Sequence, residues 1–207
     1  LGSDRDDVEI RYTIDGSIPD GGDPVCDAPL SFDASCLLTA RAFDAGGRGS
    51  WPARFELRKI DANPALEAEG RDPGLRAHAW LRPVARFEEL ATAAPDVQWA
   101  APSFDVPASP RAAALAVVVE GTVRVPRSGF WRFPVAAGAP FRLLVDGEVA
   151  ADEGGVRAVA LQGGAHRIRL ELLGPFDGLD EAPLSVRAEG PSHRRAEIPA
   201  DWLRHSE

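Results

Sequence analysis

The sequence contains no methionine and only two cysteines, and its 23 basic side chains are outnumbered by 32 acidic ones. A complete gene product normally begins with methionine, so we expect a fragment or a processed piece. No apolar run approaches the roughly 20 residues of a membrane-spanning helix. The acidic, polar start (LGSDRDD) has no signal-peptide pattern. The net charge of −9 argues against nucleic acid and against a membrane surface as partners, because both select for a basic patch. There is no G-x-G-x-x-G and no phosphate loop. Cys26 and Cys36 form no C-x-x-C and have no histidine at metal-ligand spacing. No metal and no cofactor is therefore expected. The two cysteines lie in a short loop between strand-like runs. We expect a disulfide, worth about 2–3 kcal/mol in the chain-entropy estimate, with two buried free thiols as the alternative. A disulfide implies a periplasmic or extracellular location.

What is present is alternation. From Leu115 to Gly147, Leu115, Val117, Val119, Val123 and Val125 share one strand face. Pro126-Arg127-Ser128-Gly129 supplies a turn, Trp131, Phe133 and Val135 return, and Ala137 to Pro140 breaks the run again. Phe141, Leu143 and Val145 follow, and Asp146-Gly147 is a hairpin signal. The stretch reads as three strands in the middle of an antiparallel sheet. Upstream, Val8, Ile10, Tyr12 and Ile14 alternate with polar residues, and Asp15-Gly16-Ser17 turns the chain. Residues 29–32, 37–43 and 55–60 read as further strands. Residues 61–73 (DANPALEAEGRDP) read as a linker. Phe87 to Leu90 is expected as one helical turn, and the four prolines within 91–110 as a loop. Asp177 to Pro183 reads as a polar loop, and Leu184 to Arg187 and Ile198 to Leu203 as closing segments.

Two resemblances follow from these residues. The blocks Gly121 to Phe133, Leu143 to Gly147 and Leu161 to Leu172, with Gly164 and His166 in place, resemble the protective-antigen homology domain. That family is a β-sandwich appended to secreted glycosidases, toxins and adhesins. "GLRAHAW" (Gly74 to Trp80) resembles its first strand. Ile10, Tyr12, Thr13, Asp15, Gly16, Ser17 and Pro19, with Ala40 to Phe43, resemble the C-terminal domain of chitobiase and other β-N-acetylhexosaminidases, a small immunoglobulin-like sandwich. The two imply an all-β chain: an immunoglobulin-like sandwich over 1–60, a linker over 61–73 and a larger antiparallel β-sandwich over 74–207. They also imply a non-catalytic C-terminal accessory region of a secreted glycoside hydrolase, with a β-N-acetylhexosaminidase foremost. Its partners would be the parent's catalytic domain and a glycan. The alternatives are an autonomous carbohydrate-binding module, or a module appended to another secreted enzyme such as a sulfatase or a fucosidase.

No catalytic residue is expected. Hexosaminidases use an adjacent Asp-Glu pair after H-x-G-G. Asp152-Glu153 and Asp180-Glu181 have no such context, and the chain is too short and has the wrong pattern for a catalytic barrel. The four histidines (His78, His166, His193, His205) are scattered, and His166 reads as structural or surface. In the family's sugar-binding adhesins two adjacent aspartates hold calcium. Gly138 and Ala139 stand at those positions here, and both carboxylates are missing. Of the five tryptophans, Trp80 and Trp131 read as core, while Trp51, Trp99 and Trp202 lie in or near loops. Trp51, Trp99, Asp146 and Asp152 are the candidate glycan contacts.

Overall fold

Alternation of apolar and polar side chains becomes strand almost everywhere it occurs, and the protein is all-β. A computed structural model describes residues 1–3, 5–68, 70–104, 114–174, 176, 184–191 and 193–206. The chain divides into two units, Leu1–Asp61 and Ala62–Glu207.

The first unit carries β1 (Val8–Thr13), β2 (Cys36–Asp44) and β3 (Ala53–Leu57) in one antiparallel sheet of order β1-β2-β3. Its register sets Ile10, Tyr12, Leu38, Ala40 and Phe55 on one face. Of its strand residues, Leu38 and Ala40 are buried apolar side chains, at 5% and 6% exposure. Residues 29–32, expected as a strand, pair with nothing in a ladder; Pro29 has no N–H to donate. The residues that carry the chitobiase resemblance close a hydrogen-bonded loop. Thr13 Oγ1 donates to the Ser17 carbonyl at 2.6 Å, and Asp15 Oδ1 accepts from the Ser17 N–H and hydroxyl at 3.0 and 2.6 Å. The Ser17 bonds hold the Asp15 carboxyl below its ordinary range.

The expected disulfide is absent: Cys26 and Cys36 are free thiols, both half-buried. Register explains why. The Cys26 N–H donates to the Ile10 carbonyl on the outer edge of β1, and Ile10 pairs with Ala42 of β2. Cys36 lies at the far end of β2, about 20 Å along the strand at ~3.3 Å per residue. A disulfide needs Cα atoms within about 7 Å.

The second unit continues with β4 (Asp72–Pro73), β5 (Leu75–Trp80), β6 (Val97–Ala101), β7 (Ala116–Val125), β8 (Gly129–Trp131), β9 (Val135–Ala136) and β10 (Phe141–Val145). It ends with β11 (Glu148–Asp152), β12 (Gly155–Val156), β13 (Val159–Leu161), β14 (Gly164–Leu173), β15 (Ser185–Gly190), β16 (His193–Glu197) and β17 (Leu203–His205). A nine-stranded sheet runs β12-β11-β10-β14-β7-β17-β4, with β5 also on β7 and β6 on β5. Two smaller sheets, β13-β8 and β16-β15-β9, share its core. Val117, Val119, Val123, Val125, Leu143, Val145, Ile168 and Leu170 from the large sheet meet Trp131, Phe133, Leu161 and Ala188 there.

One edge of β7 is divided. Residues 116–120 pair with Arg76–Trp80 of β5, and residues 122–123 with β17. Gly121 stands at this fork, where a Cβ would lie 2.4 Å from the Arg204 carbonyl oxygen and 2.8 Å from Leu75 Cδ2.

Several expectations change. The stretch from Leu115 to Gly147 is not a continuous meander. β7 and β10 flank β14, while β8 and β9 leave for the smaller sheets. Pro126 to Gly129 therefore turns a corner between sheets, with Gly129 at a φ of 146°. The expected loop over 91–110 contains β6, and its residues 105–110 lie outside the described set. Within the expected linker over 61–73, Asn63, Leu66 and Asp72–Pro73 are bonded into the second unit rather than spanning free. The Asn63 N–H donates to the Ala160 carbonyl at 2.8 Å, the Leu66 N–H to the Ala165 carbonyl at 2.8 Å, and β4 pairs with β17. Phe87 to Leu90 does form one turn of 3₁₀ helix, Phe87–Ala91.

Candidate functional site

The outer face of the large sheet carries the side chains that alternate with the core residues, and it has three zones. At one end, Trp80, Val84, Leu90, Ala116 and Val118 form a small second core, with Phe87 packed against it. In the middle an ionic ladder crosses four strands. Register sets Arg76 beside Glu120, Glu120 beside Arg169, and Glu171 beside Arg142. Arg169 bonds both Glu120 and Glu171, the latter at 2.8 Å. Arg142 Nε donates to Glu171 at 2.7 Å, and its guanidinium lies 5.0 Å from the Phe87 ring centre. His78 Nε2 stands 3.1 Å from Glu120. Glu171 is only 4% exposed. Two arginines satisfy it, and removing one would leave a buried charge uncompensated. The His78 contact lowers the Glu120 carboxyl pKa, burial opposes this, and the charge of Arg169 adds to it. Burial works against the Arg169 cation, yet its bonds to Glu171 and Glu120 raise its pKa further.

The third zone is open. A pocket of about 400 Å³ lies at the β5/β17 fork, lined among others by Arg76, Glu120, Thr122, Arg167, Arg169 and His205. Its polar atoms are unevenly used. The Glu120 oxygens face His78 and Arg169. Thr122 Oγ1 donates to the Arg204 carbonyl at 3.3 Å. Arg76 Nε and His205 Nδ1 are buried with no hydrogen-bond partner among the described residues.

The residues singled out from sequence do not converge. Asp146 lies in the two-residue turn between β10 and β11. Both turn residues have positive φ, 51° at Asp146 and 86° at Gly147, as an Asp-Gly hairpin requires. Its carboxylate accepts from His166 Nδ1 at 2.7 Å and from the Arg167 N–H at 2.9 Å. Asp152, at the other end of the hairpin, accepts from the Gly154 N–H at 2.9 Å and from Arg157 Nη2 at 2.9 Å. The Asp146 carboxylate is thus taken up by the neighbouring strand β14, and that of Asp152 by its own turn and Arg157. Trp99 sits on β6 opposite Ala77, half-buried against the core. It is five strand spacings from Asp152, about 24 Å at ~4.8 Å each. Trp202 packs edge-on to Trp131, with ring centres 6.1 Å apart. Trp51, in the first unit, is 94% exposed. Its backbone is fixed: the Ser50 N–H donates to the Ala42 carbonyl at 2.8 Å, and the Ser50 hydroxyl to the Trp51 carbonyl at 2.9 Å. Asp180-Glu181 lies outside the described residues.

Sequence reasoning missed the pocket. Its signal was present as polar side chains at every second position of otherwise apolar strands: Arg76 and His78, Glu120 and Thr122, Arg167, Arg169 and Glu171. What was missing was the strand order that sets them side by side.

Comparison with known proteins adds the following. The family described as Fn3 associated matches residues 1–51, which overlaps most of the stretch that resembles the chitobiase C-terminal domain. No curated protein matches. Among solved structures, an anti-sigma factor domain-containing protein from Clostridium clariflavum is similar over 96% of this chain and 77% of its own, with 15% identity and a TM-score of 0.50. A PA14 sugar-binding domain from an RTX adhesin is similar over 65% of this chain and 99% of its own, at 14% identity and a TM-score of 0.44. A β-glucosidase from Kluyveromyces marxianus, in complex with glucose, is similar over 67% of this chain and 21% of its own, at 12% identity and 0.45. At such identities the first likeness is one of fold alone.

Proposed function

We propose that this chain is a non-catalytic accessory region of a secreted glycoside hydrolase, and that it contacts carbohydrate. The observation that carries the reading is Trp51, whose indole is 94% exposed on the segment between β2 and β3 that the hydrogen bonds of Ser50 tie down. A rigid, flat apolar ring open to water offers its face to the C–H side of a pyranose. The non-catalytic part is supported by how the carboxylates are spent: Asp146 on His166 and the Arg167 N–H of β14, Asp152 on its turn and Arg157, Glu120 and Glu171 on arginines. The proposed parent is a β-N-acetylhexosaminidase, on the strength of Ile10 to Pro19 and Ala40 to Phe43, and an extracytoplasmic location goes with it. A second reading has the first unit bracing the parent's catalytic domain. It is favoured by the small buried core around Leu38 and Ala40 set against exposed Leu37, Phe55 and Ile60.

The test is glycan-array binding of the full chain, with calcium and again with a chelator. Binding to N-acetylhexosamine polymers is expected and should be indifferent to the chelator, because Gly138 and Ala139 supply no carboxylate. Trp51→Ala should weaken it roughly tenfold, and acrylamide should quench less of the variant's tryptophan fluorescence. Silence in both conditions would overturn the carbohydrate reading and leave the bracing one.

A further inference from the structure

We propose that the pocket at the β5/β17 fork binds an anionic saccharide, its acidic group held by Arg76 and Arg167 and its hydroxyls by Glu120 and Thr122. The inference rests on the carbohydrate reading and adds a second site with its own ligand class. Three observations carry it.

The first is local charge. The chain carries −9 overall, yet the pocket gathers Arg76, Arg167 and Arg169 around one carboxylate, Glu120. That carboxylate is already shared between His78 and Arg169. Arg76 is its cross-strand neighbour but forms no ion pair among the described residues. The second is unmet hydrogen bonding. Arg76 Nε and His205 Nδ1 are buried and unpartnered among the described residues, and His205 is only 8% exposed. Buried polar atoms without partners are costly, and a ligand that supplies acceptors removes the cost. The third is size and mixture. About 400 Å³ accommodates a sugar ring, and the lining sets guanidinium donors next to a carboxylate acceptor. A bare anion has no use for Glu120 and is repelled by it. A neutral sugar can accept hydrogen bonds from the two arginines but leaves their charge uncompensated. A ring bearing both an acidic group and hydroxyls uses all of them, and arginine is suited to grip a planar carboxylate or a sulfate ester in its fork.

The experiment titrates the full chain with three oligosaccharides of matched length, one hexuronate, one sulfated and one neutral, and with inorganic sulfate alone. Isothermal calorimetry and amide chemical shifts are the readouts. Roughly tenfold tighter binding of an acidic oligosaccharide than of the neutral one is expected. Whichever of the hexuronate and sulfated forms binds better identifies the acidic group. Arg76→Gln, and independently the exposed Arg167→Gln, should abolish that preference and leave neutral binding through Trp51 intact. Equal affinity for acidic and neutral forms would overturn the inference while sparing the proposed function, and so would sulfate binding as well as the acidic sugars. Loss of neutral binding in Trp51→Ala with acidic binding kept would separate the two sites. Unchanged acidic preference in both arginine variants would also overturn the inference.

Discussion

Asp146 and His166 stand 20 residues apart in sequence and fall in different blocks of the protective-antigen resemblance. They meet in a hydrogen bond under the β10–β11 turn. His166 is fully buried, and both of its ring nitrogens face acceptors, Asp146 Oδ2 and the Gln162 carbonyl, each at 2.7 Å. Only the imidazolium donates to both. Burial works against that charge, but the Asp146 bond, the Gln162 bond and the Asp146 charge prevail, and the pKa is raised above 6.5. A histidine of this kind contributes its full stability below the ordinary value and loses it as pH climbs through the raised one. Urea midpoints of the wild type should therefore fall as pH rises from about 6 to about 9. Asp146→Asn should flatten that slope and cost about 1–3 kcal/mol at the acid end. A flat wild-type profile would show that His166 is neutral and that this account of the pair is wrong.

At the scale of elements, what separates legible from illegible is whether a feature depends on a strand's own sequence or on its neighbour. Alternation in Val117 to Val125 and in Leu143 and Val145 gave the buried faces without any knowledge of pairing, because side chains of a strand point to opposite sides. Asp146-Gly147 gave its hairpin because the turn needs two residues that accept positive φ. The corner at Pro126 to Gly129 and the hidden strand Val97–Ala101 were not legible, since proline and glycine signal a break without saying which sheet receives the chain. The ionic ladder failed for the same reason. His78, Glu120, Arg169 and Arg142 come from four strands, and only partner order makes them neighbours. Cys26 and Cys36 failed on register, since a loop of suitable length says nothing about six residues of offset along β2. Gly121 is an element-scale feature in the same sense. A methyl there would press on the Arg204 carbonyl and on Leu75 Cδ2. Gly121→Ala should thus cost about 1–3 kcal/mol, with the largest loss of amide-exchange protection in β17 rather than in β14. Protection lost evenly across the sheet would count against a local clash at the fork.

At the scale of the molecule, the two units rest on unequal cores, a small one around Leu38 and Ala40 in the first and a broad shared interior in the second. Stability of the larger unit should depend on β17 out of proportion to its length. Leu203 is fully buried and pairs with Val123. Leu203→Ala should cost about 2–5 kcal/mol, read as a lower midpoint of the cooperative transition by near-ultraviolet circular dichroism. A change under about 1 kcal/mol would mean that the site collapses around the lost methyls. The divided edge of β7 also bears on how the protein is made. β5 and β17 come from opposite ends of the unit's sequence, yet they complete the same strand side by side. A ribosome delivers β5 before β17, with β6 to β16 between them, so while those strands are being made half of that edge stays unpaired and the slot for Leu203 stays open to water. The sheet cannot be finished while its closing strand is still inside the exit tunnel, and during synthesis the nascent unit presents an unsealed seam at Gly121.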